Sequence, residues 1–390
     1  MLIYILFIIS PFVAVIAYTF VIYQERIVFR SQIWNLAIIL AIYLGLLNST
    51  KELSGDFLNY SEYFYDVPRY NILSYVMGFG KEPLYYAYTW IAYYIFFGNW
   101  KLFVVSITAI NYLLLSSCII NISKHLNISS KNTITALFFM AFFFQEFAAI
   151  GNLIRQALSE AVTLVFLTRL YLDKKRSWWI ALCAICVHTS CLPILGIGLI
   201  PNTRKKFSLK TLLKTFVSLA GIVIIFYTLG DYMANVPFIG YIFSRSNNTE
   251  QLLGADSWQE NTGLQPAMYA LILMLAIMAA FLYAKMQSKK KTFEEVGLIN
   301  FNIIMVALML LCNTIGASFL LMRYFFYIYA FQSALFLVFI HRNKSLSTDI
   351  VRLPLILMLI SYFFYNYTHN IFSYSTILEA IVLPAPIFVL

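Results

Sequence analysis

The chain has 390 residues, of which 61% are apolar, 18% aromatic and only 11% charged, with a formal net charge of +10. So little polar surface excludes a soluble enzyme, and apolar runs long enough to cross a bilayer as helices exclude a transmembrane barrel, whose strands alternate in short segments. The positive balance is no nucleic-acid signature here, because membrane proteins retain Lys and Arg in their cytoplasmic loops.

The composition predicts an all-α polytopic membrane protein, a single integral domain over 1–390. About 10–12 transmembrane helices are expected, with re-entrant segments among them. The first apolar run, 2–23, lacks a basic leader and a small-residue cleavage site, so it reads as a retained span. Further spans are predicted at 33–48, 102–120, 133–150, 153–172, 209–229, 264–284, 297–320, 324–340 and 353–370. Two apolar segments are ambiguous. Residues 84–97 are short for a crossing, and 178–200 carry a histidine and a proline in "HTSCLP".

Basic residues arbitrate. If neither ambiguous segment crosses, 20 of the 27 Lys and Arg fall in cytoplasmic loops at 24–32, 121–132, 169–177, 201–214, 285–291 and 341–352. The rest are Lys51, Arg69, Lys81, Lys101, Arg155, Arg245 and Arg323. A crossing at 178–200 would put basic loops on both sides, so the charges favour two non-crossing hairpins. Two outer loops then follow, about 49–83 and 230–263, and non-basic polar residues converge on that face.

Charges at membrane depth are costly and functional by default. Arg155 in "GNLIRQALSE" sits at a junction between two apolar runs, followed by Gln156, Ser159 and Glu160. It reads as an interfacial arginine, paired with Glu146 or Glu160, or as an anion clamp whose planar fork matches phosphate. Arg323, with Tyr324 beside it, opens an aromatic run and has the same character. Arg245 in "YIFSRSNNTE" is either a third cation for an anionic substrate or a solvated loop residue.

In the first outer loop Asp56, Tyr60 and Tyr63 recur at helical spacing, a carboxylate with aromatics that suits sugar recognition. Glu82 before Pro83 is either a helix-start residue or a second sugar-facing acid. His188 is a buried structural histidine or a base. Cys183, Cys186, His188 and Cys191 superficially suggest zinc. At about 100° per residue His188 and Cys186 project about 160° apart, so the cysteines read as core fillers and no metal is expected.

No glycine-rich nucleotide loop, Walker motif or D-x-D pair occurs, so a donor arriving on a lipid is favoured over a sugar nucleotide. The order "GDFLNYSEYF", "KEPLYYAYTWIAYYIF", "GNLIRQALSEAV", "VHTSCLPILG" and a late "RYFFY" resembles the EpsG-like proteins of bacterial exopolysaccharide synthesis, grouped with Wzy-type O-antigen and capsule repeat-unit polymerases. The resemblance covers roughly 1–345, and "IRQALSEA" is its most specific part.

It implies a GT-C-like, metal- and cofactor-independent glycosyltransferase in the bacterial inner membrane. Such an enzyme polymerises undecaprenyl-diphosphate-linked oligosaccharides on the outer face, alongside membrane lipid and a possible chain-length regulator. Arg155 and, less directly, Arg323 match its diphosphate-binding arginines, and Asp56 and Glu82 match its loop acids. Two other classes compete. A lipid-linked-oligosaccharide flippase needs charges along a two-sided pathway, and a glycan acyltransferase needs a histidine-centred site, for which only His188 is a candidate.

Overall fold

Backbone amides in a lipid core have no water to bond, so helices form wherever apolar runs are long, and they break only where other protein groups receive the freed carbonyls and amides. The computed structural model describes residues 2–25, 27–79, 82–200, 264–288, 294–315, 318–370 and 373–381, with scattered positions between 205 and 221. It is 84% helical, with no strand among the described residues. The all-α class read from composition therefore holds. Arg245, the 230–263 loop and most of the expected 209–229 span lie outside the described residues.

Chain contacts divide the molecule into two compact units, 1–196 with 332–390, and 197–331. The larger unit begins with α1 (Leu2–Ile9), α2 (Pro11–Gln24), α3 (Arg30–Ser49), α4 (Gly55–Asp66), α5 (Ile72–Phe79) and α6 (Pro83–Ile95). It continues with α7 (Trp100–His125), α8 (Ser130–Ala141), α9 (Phe144–Asn152), α10 (Ile154–Tyr171) and α11 (Trp178–Val187). Helix α12 (Cys191–Leu199) runs out of it. In the smaller unit α13 (Leu264–Ser288) lies against α14 (Val296–Ile315), with Tyr283 and Met286 on Val296. Helix α15 (Ser318–Arg342) starts in the smaller unit and ends in the larger one, where α16 (Asp349–His369) and α17 (Ile377–Ile381) follow.

Among the described residues four helices are long and apolar enough to span: α3, α7, α16 and residues 271–288 of α13. A fifth span is available if α8 and α9, bent by 51°, count as one. Shorter apolar helices mark other expected spans: α2, residues 296–309 of α14 and residues 326–342 of α15. Two predicted continuous spans are interrupted. The 2–23 run breaks at Ser10 before Pro11, whose ring cannot continue the preceding helix. The 133–150 run breaks at Phe142–Phe143. The 178–200 segment is likewise two helices, α11 and α12, joined through an extended His188.

Helices α3 and α7 cross at close range. A Cβ on Gly45 would sit 2.7 Å from the Val105 carbonyl oxygen, so only hydrogen fits there. Phe57, Phe64, Trp100 and Phe103 form a ring cluster, with Phe64 and Phe103 centroids 5.0 Å apart. Tyr75, Tyr85 and Tyr86 extend it towards α10. Each aromatic pair adds about 0.5–1.5 kcal/mol beyond burial, so this cluster anchors α4 and α6 against α7 despite their shortness.

Candidate functional site

Three helix ends meet beside the aromatic cluster: the start of α6, the start of α10 and the end of α11. The start of α10 is created by the break after Asn152. Two contacts shape that break. Gly151 lies against Asn48, so close that a Cβ there would stand 2.6 Å from Asn48 Oδ1. Lys51, only 5% exposed, hydrogen-bonds Asn152 Oδ1, lies 3.5 Å from the Gly151 carbonyl, and places its ammonium 4.6 Å from the Phe57 ring centre. Burial depresses the Lys51 ammonium to about 7, against a smaller opposing pull from Asp56.

Two residues into α10, Arg155 turns into the aromatic cluster. Its Nη1 donates to Glu82 Oε2 and, at 3.1 Å, to the Tyr86 hydroxyl. Its Nε stands 3.5 Å from the Tyr60 hydroxyl, and its guanidinium carbon lies 5.2 Å from the Tyr60 ring centre. Tyr85 and Tyr86 flank it at 5.8 and 6.0 Å. Aromatic faces stabilise a cation by about 0.5–2 kcal/mol each when desolvated. Among the described residues no hydrogen bond engages Nη2. Burial raises the Tyr60 phenol above its ordinary range, against the opposing Arg155 charge, so Tyr60 is neutral here.

Glu82 occupies the N-cap position of α6, but its side chain makes no capping bond. Its second oxygen, Oε1, faces His188 Nε2 at 3.3 Å. The backbone amide of Ser190 must donate to His188 Nδ1, at 3.2 Å, and the Ser190 hydroxyl stands 2.7 Å from the same nitrogen. An accepting Nδ1 leaves the imidazole proton on Nε2, directed at Glu82, so the ring is neutral in this arrangement. Ser159 of α10 completes the frame. Its hydroxyl contacts the Ala184 and His188 carbonyls at 2.9 and 3.2 Å, receiving backbone freed where α11 ends.

The partner of Arg155 is therefore Glu82, neither Glu146 nor Glu160. The reason is the α6 turn, which brings Glu82 to the α10 start, whereas Glu160 accepts from Gln156 at 2.9 Å one turn further along. Gln156 is buried and donates to Glu160 Oε1. Tyr63 packs beside the site, its ring 6.2 Å from that of Tyr86. Asp56 is exposed in the first turn of α4 and reaches Lys51 and Tyr60 only through space. The site thus gathers Arg155, Glu82, His188 and Tyr60, with Tyr63 beside them, and leaves Asp56 at its margin.

Arg323 and Tyr324 lie on α15, with side chains outside the described residues, as is the whole of Arg245. Sequence reasoning missed Tyr85, Tyr86, Lys51 and Ser190 as members of this neighbourhood. Tyr86 had a legible signal, since it stands one helical turn after Glu82. Lys51 had none, because its partners lie about 100 positions away along the chain.

Chemically, the arrangement offers a cation with one unengaged donor edge and a carboxylate shared between that cation and a neutral imidazole. Its walls are tyrosines. Searches of curated proteins and of solved structures match nothing. Residues 32–376 match the sequence profile of the EpsG family, and the span includes every described member of the Arg155 cluster; the protein is a multi-pass membrane protein belonging to the EpsG family.

Proposed function

We propose that the protein is a metal-independent glycosyltransferase of the bacterial inner membrane. It polymerises undecaprenyl-diphosphate-linked oligosaccharide repeat units into O antigen, capsule or exopolysaccharide on the outer face. The observation that carries this reading is Arg155, a partly accessible guanidinium fixed by Glu82 and three tyrosines, whose Nη2 makes no hydrogen bond among the described residues. A guanidinium edge suits a phosphate oxygen, and tyrosine walls suit a sugar face.

In this reading the acceptor hydroxyl attacks the anomeric carbon of the donor. The new carbon–oxygen bond forms as the bond to the diphosphate breaks. The hydroxyl proton passes to Glu82, and His188 keeps that carboxylate oriented. The electron pair leaves with the diphosphate, whose growing charge Arg155 offsets more strongly in the transition state than in the ground state. Arg323 is assigned a second phosphate contact, and Tyr324 and Arg245 are assigned to binding of the donor. Asp56, with Tyr60 and Tyr63, is assigned to the acceptor sugar.

The reading requires the 49–83 loop to face outward and the Lys174 loop to face the cytoplasm. Cysteines placed at both sites and treated with a membrane-impermeant thiol reagent test this. Labelling at position 206 from outside would overturn the hairpin reading of 178–200. The reaction itself is tested by a gel of surface polysaccharide from a deletion strain. A single repeat unit without a ladder is expected; loss of every repeat unit points instead to a flippase or an earlier step.

A further inference from the structure

Three apolar helices of the larger unit end together. Helix α2 closes with Tyr23 and Gln24, α8 opens with Ser130 and Lys131, and α16 opens with Asp349. Their terminal side chains form one polar knot. Asp349 Oδ1 accepts from the Tyr23 hydroxyl at 2.9 Å and from Arg352 Nη1 at 2.8 Å, and Asp349 Oδ2 accepts from Lys131 Nζ at 2.8 Å. Arg352 Nη1 also stands 3.4 Å from the Tyr23 hydroxyl, and the Lys131 ammonium lies 4.6 Å from the Tyr23 ring centre. None of these residues belongs to the Arg155 cluster.

Helix α16 is long and apolar enough to span, so its first turn marks a boundary between lipid core and water. The loops meeting there, 24–32, 121–132 and 341–352, are among those whose basic residues favour the cytoplasmic side. Charge at this boundary is unbalanced. Among the described residues Asp349 is the acid that pairs with both Lys131 and Arg352, so the knot keeps one positive charge in excess. The Arg352 side chain is 8% exposed, whereas that of Lys131 is 35% exposed. An ammonium has three donors, and Asp349 takes one of those on Lys131. The N-terminal ends of α8 and α16 add their positive dipoles to the same field.

From the same turn of α16 the surface becomes apolar. Ile350, Leu353 and Leu357 are exposed and recur at helical spacing as one stripe. Helix α16 is the least buried of the four candidate spans, so this stripe meets lipid. An accessible cation at headgroup level beside a lipid-facing aliphatic stripe complements an anionic phospholipid in both its parts. We propose that Lys131, with Arg352 as a fixed charge beside it, holds the phosphate of an anionic glycerophospholipid whose acyl chain runs along Ile350, Leu353 and Leu357. Asp349 weakens that hold by competing for Lys131. The site does not rest on the polymerase reading.

The test is native mass spectrometry of the detergent-purified full chain, titrated in parallel with phosphatidylglycerol and with phosphatidylcholine of the same acyl chains. Wild type is expected to prefer phosphatidylglycerol. Lys131→Gln should lower that preference about fivefold, the worth of one basic residue near an anionic lipid surface. Lys101→Gln, at an exposed lysine outside the knot, should leave it unchanged. Asp349→Asn should bind phosphatidylglycerol more tightly than wild type, because the competing charge is gone. An ion-pair knot without a lipid predicts instead that Asp349→Asn lowers the Tm and leaves the preference where it was, and that result overturns the proposal. So does displacement of the lipid by inorganic phosphate alone, which would make the site one for a free anion.

A wild-type experiment covers the case in which the variants fail to fold. Phosphatidylglycerol carrying a photoreactive group on its acyl chain is crosslinked to the purified protein, and the labelled peptides are mapped. Labelling within 350–357 is expected. Labelling confined to other segments overturns the proposal.

Discussion

Arg155 and Glu82 form an ion pair across 73 positions of sequence, joining the start of α10 to the start of α6. The glutamate side chain is 7% exposed and the arginine 25%, so the cation is the more accessible member of the pair. An anion reaching Arg155 meets an electrostatic competitor already in place. The first predictions follow from that competition.

Arg155→Ala is expected to leave an inserted protein that makes single repeat units only. Loss of one fixed transition-state donor costs about 10²–10³ in rate. Arg155→Lys keeps a charge near Glu82 but cannot also reach Tyr60 and Tyr86 through a planar fork, so a large defect is expected there too. Complementation at matched protein levels checks both. A normal ladder from the alanine variant removes Arg155 from the reaction.

Glu82→Gln keeps the shape and removes the base. Polymer is expected to fall by about 10²-fold or more while the protein remains in the membrane. Glu82→Ala additionally leaves Arg155 without its partner, and breaking a buried pair from one side costs about 3–5 kcal/mol. The alanine variant is therefore expected to accumulate less than the glutamine one. Equal polymer from wild type and Glu82→Gln would show that the carboxylate only positions Arg155.

Lys51 predicts a pH dependence of stability. Its folded-state value of about 7 lies below the 10.5 of an ordinary lysine, so the unfolded chain binds the proton more tightly between those limits. Stability therefore rises with pH from about 7 upward, and the full penalty of the buried ammonium is present below about 7. Lys51→Met is expected to flatten this slope in unfolding scans across that window. A slope unchanged in the variant assigns the effect to other groups.

Gly151→Ala is expected to destabilise the protein by about 1–3 kcal/mol, because the new methyl meets Asn48 Oδ1 at 2.6 Å. Asn48→Ala in the same chain removes the obstructing amide and should recover part of the loss. A double-mutant cycle on detergent-extracted protein reads the coupling. Strict additivity would place the strain elsewhere.

The sequence by itself determined the all-helical membrane class, because 61% apolar residues in runs of bilayer length admit no other backbone that satisfies its own hydrogen bonds. It also marked Arg155, Glu82 and His188, since charge and histidine amid apolar runs stand out against their surroundings. Tertiary structure decided which of them meet. Periodicity reaches only three or four residues along a helix, whereas Glu82 reaches Arg155 through a turn of α6 and His188 through the break between α11 and α12. The same limit hid Lys51 beneath Asn152, and it hid the burial of Glu146 and Glu160. Helix breaks were legible at Pro11, where the ring forbids continuation, but not at Phe142–Phe143. No residue there is a helix breaker by type, and only packing against neighbouring helices decides the bend.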